Sequence, residues 1–153
     1  MVETSVGTVF ELSLRVLLML NEAFPLQLDA RQIAAVDFIS VYAADFGLMD
    51  ENLHGNNNYR YSEYLARKLL VDEALRNLVL DGCVQMLPTS AGYCYSILEA
   101  GKEKCEKMTS SYAGEYALAV GAVISRYKYA NMDAMIKAIN NATIQSMQEI
   151  RYE

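Results

Sequence analysis

The chain is 153 residues long, 53% hydrophobic and acidic, with a formal net charge of −6 and a pI near 4.8. That much apolar material excludes wholesale disorder and suits one domain, or a small domain with an extension. An acidic chain repels a polyanion unless its few bases cluster tightly, which argues against simple duplex binding.

The opening Met1-Val-Glu-Thr-Ser-Val-Gly7 has no basic region of the kind that starts a secretory signal, and the apolar run Val16 to Leu20 lies between Arg15 and Asn21. Such a run falls far short of the roughly 20 residues that span a bilayer. A cytoplasmic protein with no membrane partner is the expectation. Cys83, Cys94 and Cys105 are an odd number with no close pair, which fits reduced thiols rather than a disulfide framework.

A first helix is expected over about Thr8 to Glu22. It is apolar on more than one side, so several neighbours must cover it. Pro25 closes it, and Asp29 is the expected N-cap of a second helix over Ala30 to Ala44. On that helix Val36, Phe38, Ile39 and Tyr42 form the apolar arc, while Asp37 falls on the small-residue side as an exposed or ion-paired acid. Asp45 to Arg60 is rich in Gly and Asn and reads as a long loop, a kind of segment more often functional than incidental.

The most informative stretch is Ser62 to Gly101. Ser62 opens and Gly82 ends a helix of about five turns, with Leu65, Leu69, Leu75 and Val79 as its expected apolar positions. A strand over Cys83 to Leu87, a turn over Pro88 to Gly92 and a strand through Tyr93, Tyr95 and Ile97 follow. Helix, hairpin and helix make the second half of a winged helix. A nucleic-acid-binding wing supplies cations to phosphates; here four acids face three bases between Ser62 and Asp81, and Cys83 to Ile97 carries no charge at all. The loop before the long helix is also too long for the short turn of a DNA-reading motif.

Helices over Leu98 to Met108 and Tyr112 to Tyr127, with a capped break at Thr109 to Ser111, and a last helix from about Asn131 complete the chain. Their Tyr and Met content suits both core packing and the centre of an interface. The fold expected is mainly α with a small β-hairpin: a winged-helix-like core over 1–101 and C-terminal helices over 102–153, packed on it or on a partner.

No chemistry is legible. Gly101-Lys102 lacks the rest of a phosphate loop. The cysteines are not spaced for zinc, and His54 is the sole imidazole. No nucleophile elbow surrounds Ser40, Ser90 or Ser96, and the adjacent acids Asp50-Glu51 and Asp72-Glu73 diverge on a helix or are solvated in a loop. His54 reads as a loop-ordering hydrogen bonder. The expectation is a non-enzymatic protein with no cofactor and no metal.

The series Phe10, Leu14-Arg15, Leu28-Asp29, Val36-Asp37-Phe38, Asp45-Phe-Gly47, Asn52-Leu-His54, Arg60, Glu63, Arg67, Leu78, Asp81-Gly-Cys-Val84, Gly92-Tyr-Cys-Tyr95 and Ser111-Tyr112 resembles the middle component of bacterial ABC-three-component defence systems, the class that includes Lamassu. The resemblance runs from about Gly7 to Glu149, with departures at Asn52-Leu-His-Gly55 and at Arg67-Lys68. It implies a subunit that bridges an SMC- or Rad50-like ABC ATPase and an effector, often a nuclease, in anti-phage or anti-plasmid defence. DNA would touch it at most through the complex. The partner-binding residues expected are Asp45, Leu53, His54, Tyr59, Arg60, Glu63 and Arg67, with Tyr112 and Tyr116 in a second contact. The alternative is a winged-helix transcription regulator, dimeric through its C-terminal helices, with Arg60, Arg67, Lys68 and Arg76 on one DNA-facing surface.

Overall fold

The computed structural model describes residues 8–55 and 62–152. It is mainly helical: α1 (Val9–Ala23), β1 (Leu28–Asp29), α2 (Ala30–Val41), a short 3₁₀ turn (Ala43–Phe46), α3 (Ser62–Leu80), β2 (Val84–Thr89), β3 (Gly92–Ile97), α4 (Glu99–Glu106), α5 (Ser111–Arg126), a second 3₁₀ turn (Lys128–Ala130) and α6 (Met132–Tyr152). Among the described residues no helix is long and apolar enough to cross a membrane.

The broad apolar surface of α1 finds the several neighbours it needs. Its Leu12, Val16, Leu17, Met19 and Leu20 are buried in one cluster with Ile33, Val36, Phe38 and Ile39 of α2, Val71, Ala74 and Leu75 of α3, and Tyr116, Val120 and Val123 of α5. Met135 and Ile139 of α6 join the same cluster. Thr8 caps α1 by accepting from the Glu11 amide at 3.1 Å. Asp29 caps α2 in a reciprocal box: its Oδ1 accepts from the Gln32 amide at 2.8 Å, and its own amide donates to the Gln32 side chain at 2.9 Å.

Three expectations need correction. Asp29, expected only as a helix cap, also forms with Leu28 a short strand that pairs antiparallel with β3, opposite Tyr95 and Cys94, and makes a three-stranded sheet in the order β1-β3-β2. The hairpin turn is shorter than Pro88 to Gly92, because Pro88 and Thr89 continue β2 opposite Tyr93 and Gly92. A proline fits there because β2 is an edge strand whose missing N–H faces no neighbour. Finally, the buried stripe of α3 is Tyr64, Arg67, Val71, Ala74, Leu75 and Leu78, whereas Leu65 and Leu69 are 65% and 77% exposed. The leucines misled because the inward stripe is interrupted by a charged residue, Arg67, whose counter-ion lies on another helix.

Gly101 in α4 is required by close approach rather than by backbone angle. A Cβ there would sit 2.5 Å from the Cys83 carbonyl oxygen and 2.8 Å from Ile97. The hairpin and α4 close on each other through that missing methyl group.

Candidate functional site

The sequence buries two charges in the middle of apolar helices. Arg15 interrupts the run on α1 and Asp37 stands between Val36 and Phe38 on α2. A buried charge is tolerated only when paired and hydrogen-bonded, and these two find each other. The Arg15 Nε donates to Asp37 Oδ1 at 2.8 Å and its Nη2 donates to Oδ2 at 3.1 Å. Asp37 is thus ion-paired, not exposed.

Two more helices complete the cluster. Arg67 of α3 places its Nε 3.3 Å from Asp37 Oδ2, and the Tyr116 hydroxyl of α5 donates to Oδ1 at 2.6 Å. Around this centre, Glu63 lies 3.4 Å from Arg67 Nη2 and accepts from the Tyr42 hydroxyl at 2.8 Å, and Glu11 lies 3.5 Å from Arg15. One fully buried carboxylate therefore ties together α1, α2, α3 and α5. Burial alone would raise the Asp37 carboxyl, but Arg15 and Arg67, with the hydrogen bonds from Arg15 and Tyr116, outweigh it and hold its pKa down at about 2. Burial, reinforced by the Asp37 charge, keeps the Tyr116 hydroxyl protonated and hence a donor.

Above the cluster lies the loop after α2. Asn52 orders its base by accepting from the Ala44 amide at 2.8 Å and donating to Asp45 Oδ1 at 3.2 Å. The His54 amide donates to the Val41 carbonyl at 3.3 Å, which folds the loop tip back over α2. The His54 Nε2 then shares a 2.8 Å hydrogen bond with the Tyr112 hydroxyl. Rings continue the connection downward: His54 stacks on Tyr112 at 6.1 Å between centroids, and Tyr112 stacks on Tyr116 at 6.4 Å. Burial, then the nearby Arg15 charge, lowers the His54 pKa from 6.5 to about 4, so the ring is neutral near pH 7.

Leu53, His54 and Tyr112 form one side of a half-open groove of about 800 Å³ whose other walls are Leu14 and Leu18 of α1 and Met108 before α5. Its exposed lining is mostly apolar, with Glu11, Arg15 and Lys107 as its charged members.

The residues singled out from sequence thus separate by depth. Leu53, His54 and Tyr112 meet at the groove. Glu63, Arg67 and Tyr116 belong to the cluster beneath it, and Arg67 and Tyr116 are 7% and 0% exposed. Asp45 stands apart, holding Asn52 at the base of the loop. Tyr59 and Arg60 lie outside the described residues. The basic surface of Arg60, Arg67, Lys68 and Arg76 needs correction, because Arg67 turns inward to Asp37 while Lys68 and Arg76 point outward. Arg15, Asp37 and Tyr42 were missed as members of one constellation; the signal available was a charge on each of two otherwise apolar helices.

Neither oxygen of Asp37 is open to a substrate, since each accepts from Arg15 and one also from Tyr116. Among the described residues no group of three or more His, Cys, Asp or Glu could hold a metal ion. The arrangement supplies a rigid four-helix anchor under a shaped, mostly apolar surface.

A family model described as ABC-three component (ABC-3C) system Middle Component 2 matches residues 5–149. No curated protein and no solved structure matches the chain.

Proposed function

The chain belongs to the Middle Component 2 family of ABC-three component systems, and on that premise we propose that it is the non-catalytic bridging subunit of a Lamassu-like defence complex. It couples an SMC- or Rad50-like ABC ATPase to an effector, often a nuclease, in the cytoplasm. The reading of 1–101 as a winged-helix-like core draws support from the order helix, strand, helix, helix, strand, strand and from the β1-β3-β2 sheet. Residues 102–153 then form the helical extension.

The observation that carries the proposal is the groove. It sets Leu53 and His54 from a loop, and Tyr112 from a helix, on a base locked by ion pairs among three helices and a tyrosine hydrogen bond from a fourth. Interfaces place aromatic and aliphatic anchors at their centre on rigid supports, with charges kept to the rim. Tyr59 and Arg60 are assigned to the same contact, and the C-terminal helices make the second.

The experiment is an affinity pull-down of the tagged chain from cells carrying its native gene neighbourhood. Recovery of a large ABC ATPase and a third protein in fixed proportion is expected. The combined His54→Ala and Arg60→Ala variant should lose the ATPase while keeping the wild-type helical spectrum. Retention of both ATPase association and phage protection by that variant overturns the groove assignment. The DNA-regulator alternative loses Arg67 from its basic surface, and the outward residues of α3 balance Lys68 and Arg76 against Asp72 and Glu73. Strongly salt-dependent binding of the chain alone to a specific duplex would reinstate it.

A further inference from the structure

Arg15 spends two of its guanidinium nitrogens on Asp37 and leaves the third over. The side chain is 2% exposed, and its Nη1 makes no hydrogen bond; Glu11, at 3.5 Å, is too distant to satisfy it. A buried N–H without an acceptor is costly, and this one belongs to a residue that lines the groove at Leu53, His54 and Tyr112. Thr109 and Ser110 line the same groove where the 16-residue α5 begins. The Ser110 hydroxyl accepts from the Ala113 amide at 3.1 Å, and the Ser110 carbonyl accepts from the Gly114 amide at 3.2 Å. The amides of Ser111 and Tyr112 find no acceptor among the described residues and point out of the start of the helix. Lys107 stands exposed on the same lining.

Three kinds of donor thus line one hollow: a guanidinium corner, a lysine ammonium, and the amide end of a helix whose dipole favours negative charge there. One acid stands against them. Glu11 holds its place loosely, 24% exposed and 3.5 Å from Nη1. The remaining walls, Leu14, Leu18, Leu53 and Met108, are apolar. A free inorganic anion would use the donors and leave those walls in water. A nucleic acid would bring a chain of phosphates to a molecule of net charge −6. A single carboxylate carried on an apolar body uses the donors and the walls together.

Resting on the reading of this groove as a partner contact, we propose that the protein partner anchors there through one carboxylate, an Asp or Glu side chain or a chain end, flanked by apolar residues. The carboxylate takes the place of Glu11 on Arg15 Nη1 and accepts from the first amides of α5, while its apolar neighbours cover Leu14, Leu18 and Leu53. Glu11 is then a placeholder that covers the guanidinium corner in the free chain and turns to water on binding. Lys107 draws the incoming acid toward the groove.

Nuclear magnetic resonance on the full chain reads the site directly, with 4-phenylbutyrate as the probe and 4-phenylbutyramide, the same body without the charge, as the control. The carboxylate should shift the amide signals of Ser111 and Tyr112 with a Kd on the order of 1–10 mM, and the control should not. Glu11→Gln keeps the shape of the side chain and removes the competing charge, so it should tighten the carboxylate about two- to fivefold, whereas Lys107→Ala should weaken it by a similar factor. Equal shifts from probe and control, no shift from either, or weaker binding of the probe by Glu11→Gln overturns the proposal. Inorganic phosphate that shifts these amides more strongly than 4-phenylbutyrate reassigns the site to phosphate groups and equally overturns it. If the probe binds as stated while the His54 and Arg60 double variant keeps the ATPase, the partner reading fails and takes the proposal with it. If that variant loses the ATPase while the probe does not bind, the carboxylate anchor fails alone.

Discussion

Replacing Asp37 with asparagine keeps the shape of the side chain and removes its charge. In the native protein this carboxylate is fully buried and accepts from Arg15 at 2.8 and 3.1 Å and from Tyr116 at 2.6 Å, with Arg67 at 3.3 Å. In the variant, among the described residues, two guanidinium groups that are 2% and 8% exposed keep the looser carboxylates of Glu11 and Glu63, at 3.5 and 3.4 Å. Removing one partner of a buried ion pair costs about 3–5 kcal/mol, and a chain of this size shifts by roughly 2–4 °C per kcal/mol. A drop in Tm of between about 6 and 20 °C is therefore expected. Urea denaturation followed by far-UV circular dichroism should show the midpoint falling with the slope unchanged. Tyr116→Phe, which deletes a single hydrogen bond to a charged acceptor, should cost about 1.5–3 kcal/mol. Joint replacement of Asp37 by leucine, of Arg15 and Arg67 by methionine and of Tyr116 by phenylalanine should regain most of the loss, since the carboxylates left without a cation, Glu11 and Glu63, are partly exposed to water. The sign with pH follows from the lowered pKa: Asp37 contributes stability that is present above its unfolded value of 3.8 and is lost as pH falls toward about 2. The asparagine variant should lack that acid limb. A loss under about 1 kcal/mol at pH 7, or an unchanged acid limb, would refute the idea that this carboxylate is the keystone of the four helices.

The depressed pKa of His54 has the same sense. The neutral ring contributes stability present above pH 6.5 and lost as pH falls toward about 4, so His54→Gln should flatten the stability profile across that window in denaturation series. Gly101→Ala forces a methyl group to within 2.5 Å of the Cys83 carbonyl, and chemical denaturation should show a loss of about 1–3 kcal/mol. The phase of α3 can be checked with two truncations. Val71→Ala, at a fully buried position, should cost about 2 kcal/mol. Leu69→Ala, at an exposed one, should stay within about 0.5 kcal/mol of wild type.

Much of the architecture was legible because local signals agreed with the global fold. Thr8 precedes a broadly apolar run, Asp29 is followed three residues later by Gln32, and Ser110 precedes a regular stripe; each marks a helix start that the structure places within a residue or two of expectation. The hairpin was readable from alternation and from its turn residues. What escaped was non-local. Two residues cannot announce a strand when their only partner, β3, lies more than sixty positions away. The phase of α3 depended on recognising Arg67 as an inward residue, which requires knowing that Asp37 waits on α2. For the same reason the sequence pointed to His54, Arg67 and Tyr116 one by one and did not disclose that Arg15 and Asp37 join them. Charge pairing across three helices, with a hydrogen bond from a fourth, leaves no periodic trace in any one of them.

The box formed by Asp29 and Gln32 has a mechanical consequence. Asp29 is at once half of β1, hydrogen-bonded to the sheet, and the cap of α2; Gln32, one turn on, sends its amide to the carbonyl of Ala130 at 3.0 Å. Ala130 and Tyr129 sit at the elbow between α5 and α6 with left-handed backbone angles, φ 50° and 57°. Four consecutive residues thus rivet the hairpin sheet to the root of the last helix, 98 positions downstream. The Gln32 amide is thus a polar tie laid over the apolar packing of Ala130, Met135 and Ile139 against the same core.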